Sequence, residues 1–293
     1  MSVLLACSLG GCDRSGEGSA SAPEPERFRS EVLPEAPARI ASMAPNITEI
    51  LFALGAGDEV VAVTRYCDYP AEAATRRSIG GMLDPDYEAL LAAEVELVLG
   101  VRDGADHRLV GRLEGAGIAY GFLVIDDREG IARGIEEVGR WIGREARGVE
   151  VREEFERELT AAGVEVRAAL EEAGHSGRKV LVVFDQEPVV AAGPGTFLAE
   201  VMELAGLENA LGEEFAAYPV LDMEAVFSVN PEIIVDVSLG PSTAAVQGFW
   251  GRFEGLDAVA AGRMVHLDDP VMMRPGPRLP EALRALGRAV EGL

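Results

Sequence analysis

Basic residues are scarce in this chain of 293: 26 Lys and Arg against 50 Asp and Glu leave a formal charge of −24. That balance repels a polyanion and excludes nucleic acid as a partner. Nowhere do 18 apolar residues run together, so no segment crosses a bilayer as a helix. Cysteine occurs three times, as Cys7, Cys12 and Cys67, never in a Cys-x-x-Cys pair. Gly-x-Ser-x-Gly, His-Glu-x-x-His and Gly-Lys-Ser/Thr are missing too, which removes the usual nucleophile elbow, zinc-protease helix and phosphate loop. His107, His175 and His266 lie far apart without ligand spacing. Gly193-Pro194-Gly195-Thr196 precedes a helix but has no Lys, and predicts only a tight turn. Little remains from which to build an enzyme, and no metal or cofactor is expected.

What is present is apolar material for two ordinary cores, 48% of all residues. The stretch that organises it is Arg144 to Gly174, a Pro-free amphipathic pattern with Val151, Phe155, Leu159, Ala162, Val166, Leu170 and Ala173 on one stripe. Some 28 helical residues span ~42 Å, which suits a strut between two globules better than a part of either. The alternative is a surface helix of one large domain.

Before the strut, short apolar strands alternate with amphipathic helices. A strand at Arg39 to Met43 leads to a helix at Ile47 to Leu54, with Asn46 and Glu49 at capping-box spacing and Gly55 at its end. After the strut the alternation restarts at Lys179, with a helix capped by Thr196 and ended by Gly206. This pattern predicts α/β architecture: two doubly wound lobes of mostly parallel sheet. The lobes echo each other. Asp86-Tyr87-Glu88-Ala89-Leu90-Leu91 matches Asp222-Met223-Glu224-Ala225-Val226-Phe227, and an apolar triplet begins nine residues after each Glu. Glu49-Ile50-Leu51 with Gly55 likewise matches Glu200-Val201-Met202 with Gly206. Blocks repeated in one order predict a duplication with pseudo-twofold similarity, against chance likeness of amphipathic segments. The expected division is a leader and linker at 1–35, a lobe at 36–143, the bridging helix at 144–175 and a second lobe at 176–293.

Within the leader, Leu9-Gly10-Gly11-Cys12 is followed by a Ser/Gly/Glu/Pro stretch too polar to pack. This resembles a bacterial lipoprotein signal with Cys12 as the lipidated residue. Leu4-Leu5-Ala6-Cys7 is a second candidate, and a disordered cytosolic tail is the alternative. Cys67 is expected to be a buried small apolar residue.

A cleft between two lobes is the usual place for a small molecule, and in doubly wound sheets ligands meet the loops after the strands. Those loops carry Tyr66, Tyr69, Met82, Arg102, Gln186, Tyr218 and the segment Met272-Met273-Arg274-Pro275-Gly276-Pro277-Arg278. Aromatic faces and thioethers suit a broad, partly apolar ligand, with Arg274 or Arg278 available to a carboxylate or phosphate.

Four blocks in order, Ala44 to Leu51, Tyr66 to Pro70, Asp86 to Leu99 and Arg274 to Arg278, resemble the periplasmic solute-binding proteins of ABC importers for cobalamin, haem and ferric siderophores, most nearly the cobalamin-binding members. The resemblance covers Ala36 to the C-terminus. It implies two α/β lobes on one rigid helix, a corrinoid (or else haem or a ferric siderophore) held between them as cargo, and little closure on binding. It also implies an extracytoplasmic monomer, membrane-bound only through a lipid anchor, that delivers its ligand to an ABC permease. Tyr66 stands where that family has a ligand-contacting Tyr and Tyr218 where it has a Trp, while Met82, Val101 and Val190 replace aromatics. By the same likeness Glu88 and Glu224 are the acids that dock to permease arginines.

Overall fold

Strands that are buried along their whole length need cover on both faces, and this chain supplies it twice. The computed structural model describes residues 28–293. In the first lobe β1 (Ile40–Ser42), β2 (Val60–Val63), β3 (Arg77–Ser78), β4 (Leu97–Val101) and β5 (Ala119–Leu123) form one parallel sheet in the order β3-β2-β1-β4-β5. Helices α1 (Pro45–Ala53), α2 (Tyr87–Ala92), α3 (His107–Ala116) and α4 (Arg128–Trp141) connect the strands or follow them. Asp86, Asp106 and Asp127 each cap the helix that follows by accepting a backbone N–H three residues on.

In the second lobe β6 (Lys179–Gln186), β7 (Val189–Ala191), β8 (Glu208–Asn209), β9 (Val220–Leu221), β10 (Ile233–Asp236) and β11 (Met264–His266) make a mixed sheet ordered β11-β10-β6-β7-β9, with β8 also beside β6. β7 runs antiparallel to both β6 and β9, which the alternation of apolar segments had not suggested. Its helices are α6 (Phe197–Leu204), α7 (Met223–Val229), α8 (Thr243–Trp250), α9 (Asp257–Ala260) and α10 (Leu279–Glu291). Thr196 caps α6 as its position predicts, through the Ala199 N–H.

The repeated blocks fall at matching places. The parallel trio β1-β4-β5 corresponds to β6-β10-β11, and the Asp-capped helix before β4 corresponds to the Asp-capped helix before β10. The likeness ends at the β7–β9 ribbon, which only the second lobe has.

Between the lobes runs α5 (Glu145–Glu172), 28 residues long. Its predicted stripe is buried from Val151 to Leu170, but Ala173 falls at the C-cap and is exposed. The helix is also less separate than a strut. It lies against α4 on one side and α10 on the other, and a single apolar cluster runs from Val138 and Trp141 through Phe155, Leu159 and Val166 to Leu283 and Leu286. Glycines permit the close approach: a Cβ on Gly139 would sit 2.9 Å from Gly148 Cα, and one on Gly287 would sit 2.6 Å from Val166 Cγ1. The core is therefore continuous through the bridge, while the two sheets remain separate.

The capping box at α1 is not formed. Ala44 is the N-cap and Pro45 takes the first helical position, where its missing N–H costs nothing. Asn46 and Glu49 instead reach the other lobe: Asn46 Nδ2 donates to Pro275 O at 3.0 Å, and Glu49 receives the Arg278 guanidinium at 2.8 and 3.1 Å.

Candidate functional site

The carboxyl ends of β1, β2, β4 and β5 face the loops after β6, β10 and β11 across a cleft of about 620 Å³. One wall is built by Tyr66, Met82, Val101, Arg102 and the run Leu123 to Asp126; the other by Phe184, Val190, Phe197, Tyr218, Leu239 and Met273. Large apolar side chains are left open to solvent here: Tyr66 is 51% exposed, Tyr218 47%, Leu239 45%, Val124 40% and Met273 37%. Such a concentration in one concavity is what an apolar ligand would cover. The Phe184 and Tyr218 rings lie 5.7 Å apart at 55°, so Tyr218 is braced from behind.

Of the loop residues singled out from the sequence, Tyr66, Met82, Arg102, Tyr218, Met273 and Arg274 meet in this cleft. Gln186 does not. Its amide donates at 2.8 Å to Asp236, a fully buried carboxylate that also accepts the Trp250 indole N–H at 2.9 Å and a bond from Ser238. The end of β6 turns that side chain into the lobe rather than toward the opening. Met272 is buried, and Arg278 and Tyr69 line a different hollow, beside α5, with the guanidinium 3.7 Å over the phenol ring.

Arg274 reaches the cleft but its charge is already matched. Nη2 donates to Asp68 at 3.0 Å and to Tyr66 O at 3.1 Å, and Nη1 lies 3.7 Å from Glu49. It is therefore a strap from the second lobe to the loop bearing Tyr66, not a free cation for a ligand carboxylate. Its hydrogen bonds hold the Asp68 carboxyl below the usual range, while burial pushes the Glu49 carboxyl up in spite of the two arginines beside it.

At the mouth, Arg102 is exposed and makes no ion pair among the described residues. Asp103 and Asp126 stand with it, and sequence reasoning missed both. The Asp126 carboxyl is raised by burial and then by the field of Asp103; the Tyr218 phenol is raised by burial and then by both acids. Acids on one lobe and the phenol on the other thus share one local field. The available signal was position: Asp126 stands three residues beyond the end of β5, in one of the loops after strands where ligand contacts are expected.

Glu88 and Glu224 lie outside the cleft, exposed in the first turns of α2 and α7, and neither forms an ion pair among the described residues. Cys67 is buried and within 3.1 Å of Thr64 Oγ1, and burial raises its thiol pKa, as befits an inert packed residue. Cys7 and Cys12 lie outside the described residues. Among those described, no cluster of three or more His, Cys, Asp or Glu could hold a metal ion.

Two α/β lobes fixed to one helix around an open, apolar cleft are the architecture of a solute-binding protein. The model of the periplasmic binding protein family matches residues 40–271, and the chain belongs to that family. It is 26% identical over 248 residues to a vitamin B12-binding protein of Vibrio parahaemolyticus, covering 84% of this chain and 86% of the relative. Among solved structures it resembles a periplasmic haem-binding protein in complex with two haems (26% identity, TM-score 0.76, 87% of this chain and 98% of that one). It also resembles the vitamin B12-binding protein BtuF of Vibrio cholerae (23% identity, TM-score 0.71, 87% and 96%), a likeness of fold.

Proposed function

We propose that this protein captures a corrinoid, cobalamin in the first instance, between its lobes outside the cytoplasm and hands it to an ABC permease. The observation that carries the reading is the charge at the cleft. Exposed aromatic and aliphatic faces supply the apolar contact, yet Arg274 is matched by Asp68 and Glu49, and the free Arg102 stands beside two acids, Asp103 and Asp126. A macrocycle rimmed with primary amides brings N–H donors to such acids. A haem brings propionates, which they repel. Similarity along most of the chain to a protein named for vitamin B12 binding points the same way.

No bond is made or broken in this role. Burial of flat apolar surface supplies most of the affinity, and lobes held apart by α5 lose little freedom on binding. Glu88 and Glu224, equivalent acids on the two lobes, orient the loaded protein on a two-fold permease. Cys12 carries a lipid that keeps the protein at the membrane.

The second reading, a haem receptor, rests on likeness to the haem-bound structure and on tyrosine and methionine side chains in the cleft. Calorimetric titration with cyanocobalamin and visible spectra with haemin separate the two. Saturation by one equivalent of cyanocobalamin is expected; a haemin Soret shift with no cyanocobalamin heat would overturn the assignment. Mass spectrometry of the mature protein with Cys12 intact or changed to Ser tests the anchor.

A further inference from the structure

Five of the large apolar side chains left exposed among the described residues line the cleft, Tyr66, Val124, Tyr218, Leu239 and Met273, and a separate set gathers around the two short helices that bear Glu88 and Glu224. Leu91 is 46% exposed and Phe227 42%. Each stands three residues after its glutamate on the same helix, a spacing that puts acid and apolar group side by side on one face. The match extends to the backbone: Asp86 Oδ1 accepts from Ala89 N at 3.0 Å and Asp222 Oδ1 accepts from Ala225 N at 2.8 Å, so both helices start with the same geometry. An exposed aliphatic residue also precedes each cap, Leu83 at 77% and Val220 at 67% exposure. The Phe227 ring is backed edge-on by Phe253, with centroids 6.3 Å apart, and so is held in place although half open.

One exposed leucine needs no explanation. The same acid-plus-apolar pair at the same repeat position in both lobes does. We propose that Leu91 and Phe227 are the apolar anchors of two equivalent docking points, fitted to a partner with its own two-fold axis that offers on each half an arginine beside an apolar notch. This rests on the reading that Glu88 and Glu224 face a permease. It assigns the steering of encounter to the carboxylates and the lifetime of the docked state to the anchors.

The test is site-specific photocrosslinking in living cells, with p-benzoylphenylalanine in place of Leu91, of Phe227 or of the exposed Val164 on α5. Both α2 and α7 positions should crosslink to one and the same membrane permease polypeptide, and Val164 should not. No permease adduct from either, or equal adducts from Val164, overturns the proposal. Leu91→Ser and Phe227→Ser should each slow uptake of labelled cyanocobalamin about tenfold while leaving its dissociation constant unchanged. Uptake at the wild-type rate would also overturn it. Glu88→Arg with Glu224→Arg separates the two claims: permease adducts that survive the double reversal refute the docking role of the acids. Adducts from a protein that does not bind cyanocobalamin refute only the choice of ligand.

Discussion

Glu49 and Glu200 hold the same place in the two halves of the molecule, and each reaches across to the other half. Glu49 of α1 receives Arg278 at the start of α10, and Glu200 of α6 accepts the Arg128 N–H at 2.7 Å at the start of α4. Three residues before each, a second bond crosses: Asn46 to Pro275 O, and the Phe197 N–H to Asp126 O at 2.9 Å. The cleft is thus clasped at two symmetry-matched points, and this, together with α5, fixes the separation of its walls.

The two clasps differ in burial, so their loss should differ in cost. The Glu49 side chain is 3% exposed and Arg278 16%, against 26% for Glu200. Glu49→Ala strands nearly buried guanidinium groups and should destabilise by about 3 kcal/mol, whereas Glu200→Ala, at a helix start nearer water, should cost about 1 kcal/mol. Urea denaturation of both variants decides the matter; equal losses would mean that burial does not set the strength of the clasp.

The close contact of α10 with α5 gives a second expectation. A methyl at Gly287 meets Val166 Cγ1 at 2.6 Å and Cγ2 at 2.9 Å, so Gly287→Ala should cost about 1–3 kcal/mol by overpacking. Adding Val166→Ala removes the obstructing methyls, and the pair should be less damaging than the sum of the singles by about 1 kcal/mol. An additive double-mutant cycle would place the strain elsewhere.

Much of this architecture was legible because it is local. Apolar runs, the Thr196 cap and the stripe of α5 from Val151 to Leu170 are properties of neighbouring residues, and the doubly wound pattern places ligand contacts in the loops after strands. What failed depended on partners far along the chain. Asn46 and Glu49 have capping-box spacing, yet their partners lie about 230 residues on, at 275 and 278. Arg274 looks like a free cation until Asp68 is brought beside it. The strut seemed detached because nothing in its own sequence says that α4 and α10 cover it. Gln186 sits at a strand end, as a ligand contact would, but a buried Asp236 claims its amide.

Two acids at the rim should titrate in opposite senses. Asp68 is lowered by Arg274, so its stabilising effect is present above its unfolded value of 3.8 and is lost as pH falls through the lower folded value. Asp126 is raised, so its folded form is favoured below 3.8 and loses that advantage as pH rises through the higher folded value. Near pH 7, Asp68→Asn should destabilise the fold and Asp126→Asn stabilise it, each by under about 1 kcal/mol since both groups are largely exposed. The Asp126 difference should disappear below pH 3.8. Thermal melts from pH 3 to 8 check both signs, and a shift of the same sign in the two variants would refute the assignment.

Ligand affinity is the last quantity the geometry sets, and it separates residues that share the same sequence signal. Tyr66, Tyr218 and Gln186 all sit in loops or strand ends near the opening, but only the tyrosines present surface to it, each about half exposed. Covering such a ring with a flat macrocycle is worth about 1–3 kcal/mol, so Tyr66→Ala and Tyr218→Ala should each weaken cyanocobalamin binding roughly 5- to 150-fold. Gln186→Ala should leave the dissociation constant unchanged and instead destabilise the fold by about 1 kcal/mol, because Asp236 loses a donor while buried. Calorimetric titration of the three variants beside their urea melts measures both effects. Unchanged binding in the tyrosine variants would move the ligand out of this cleft.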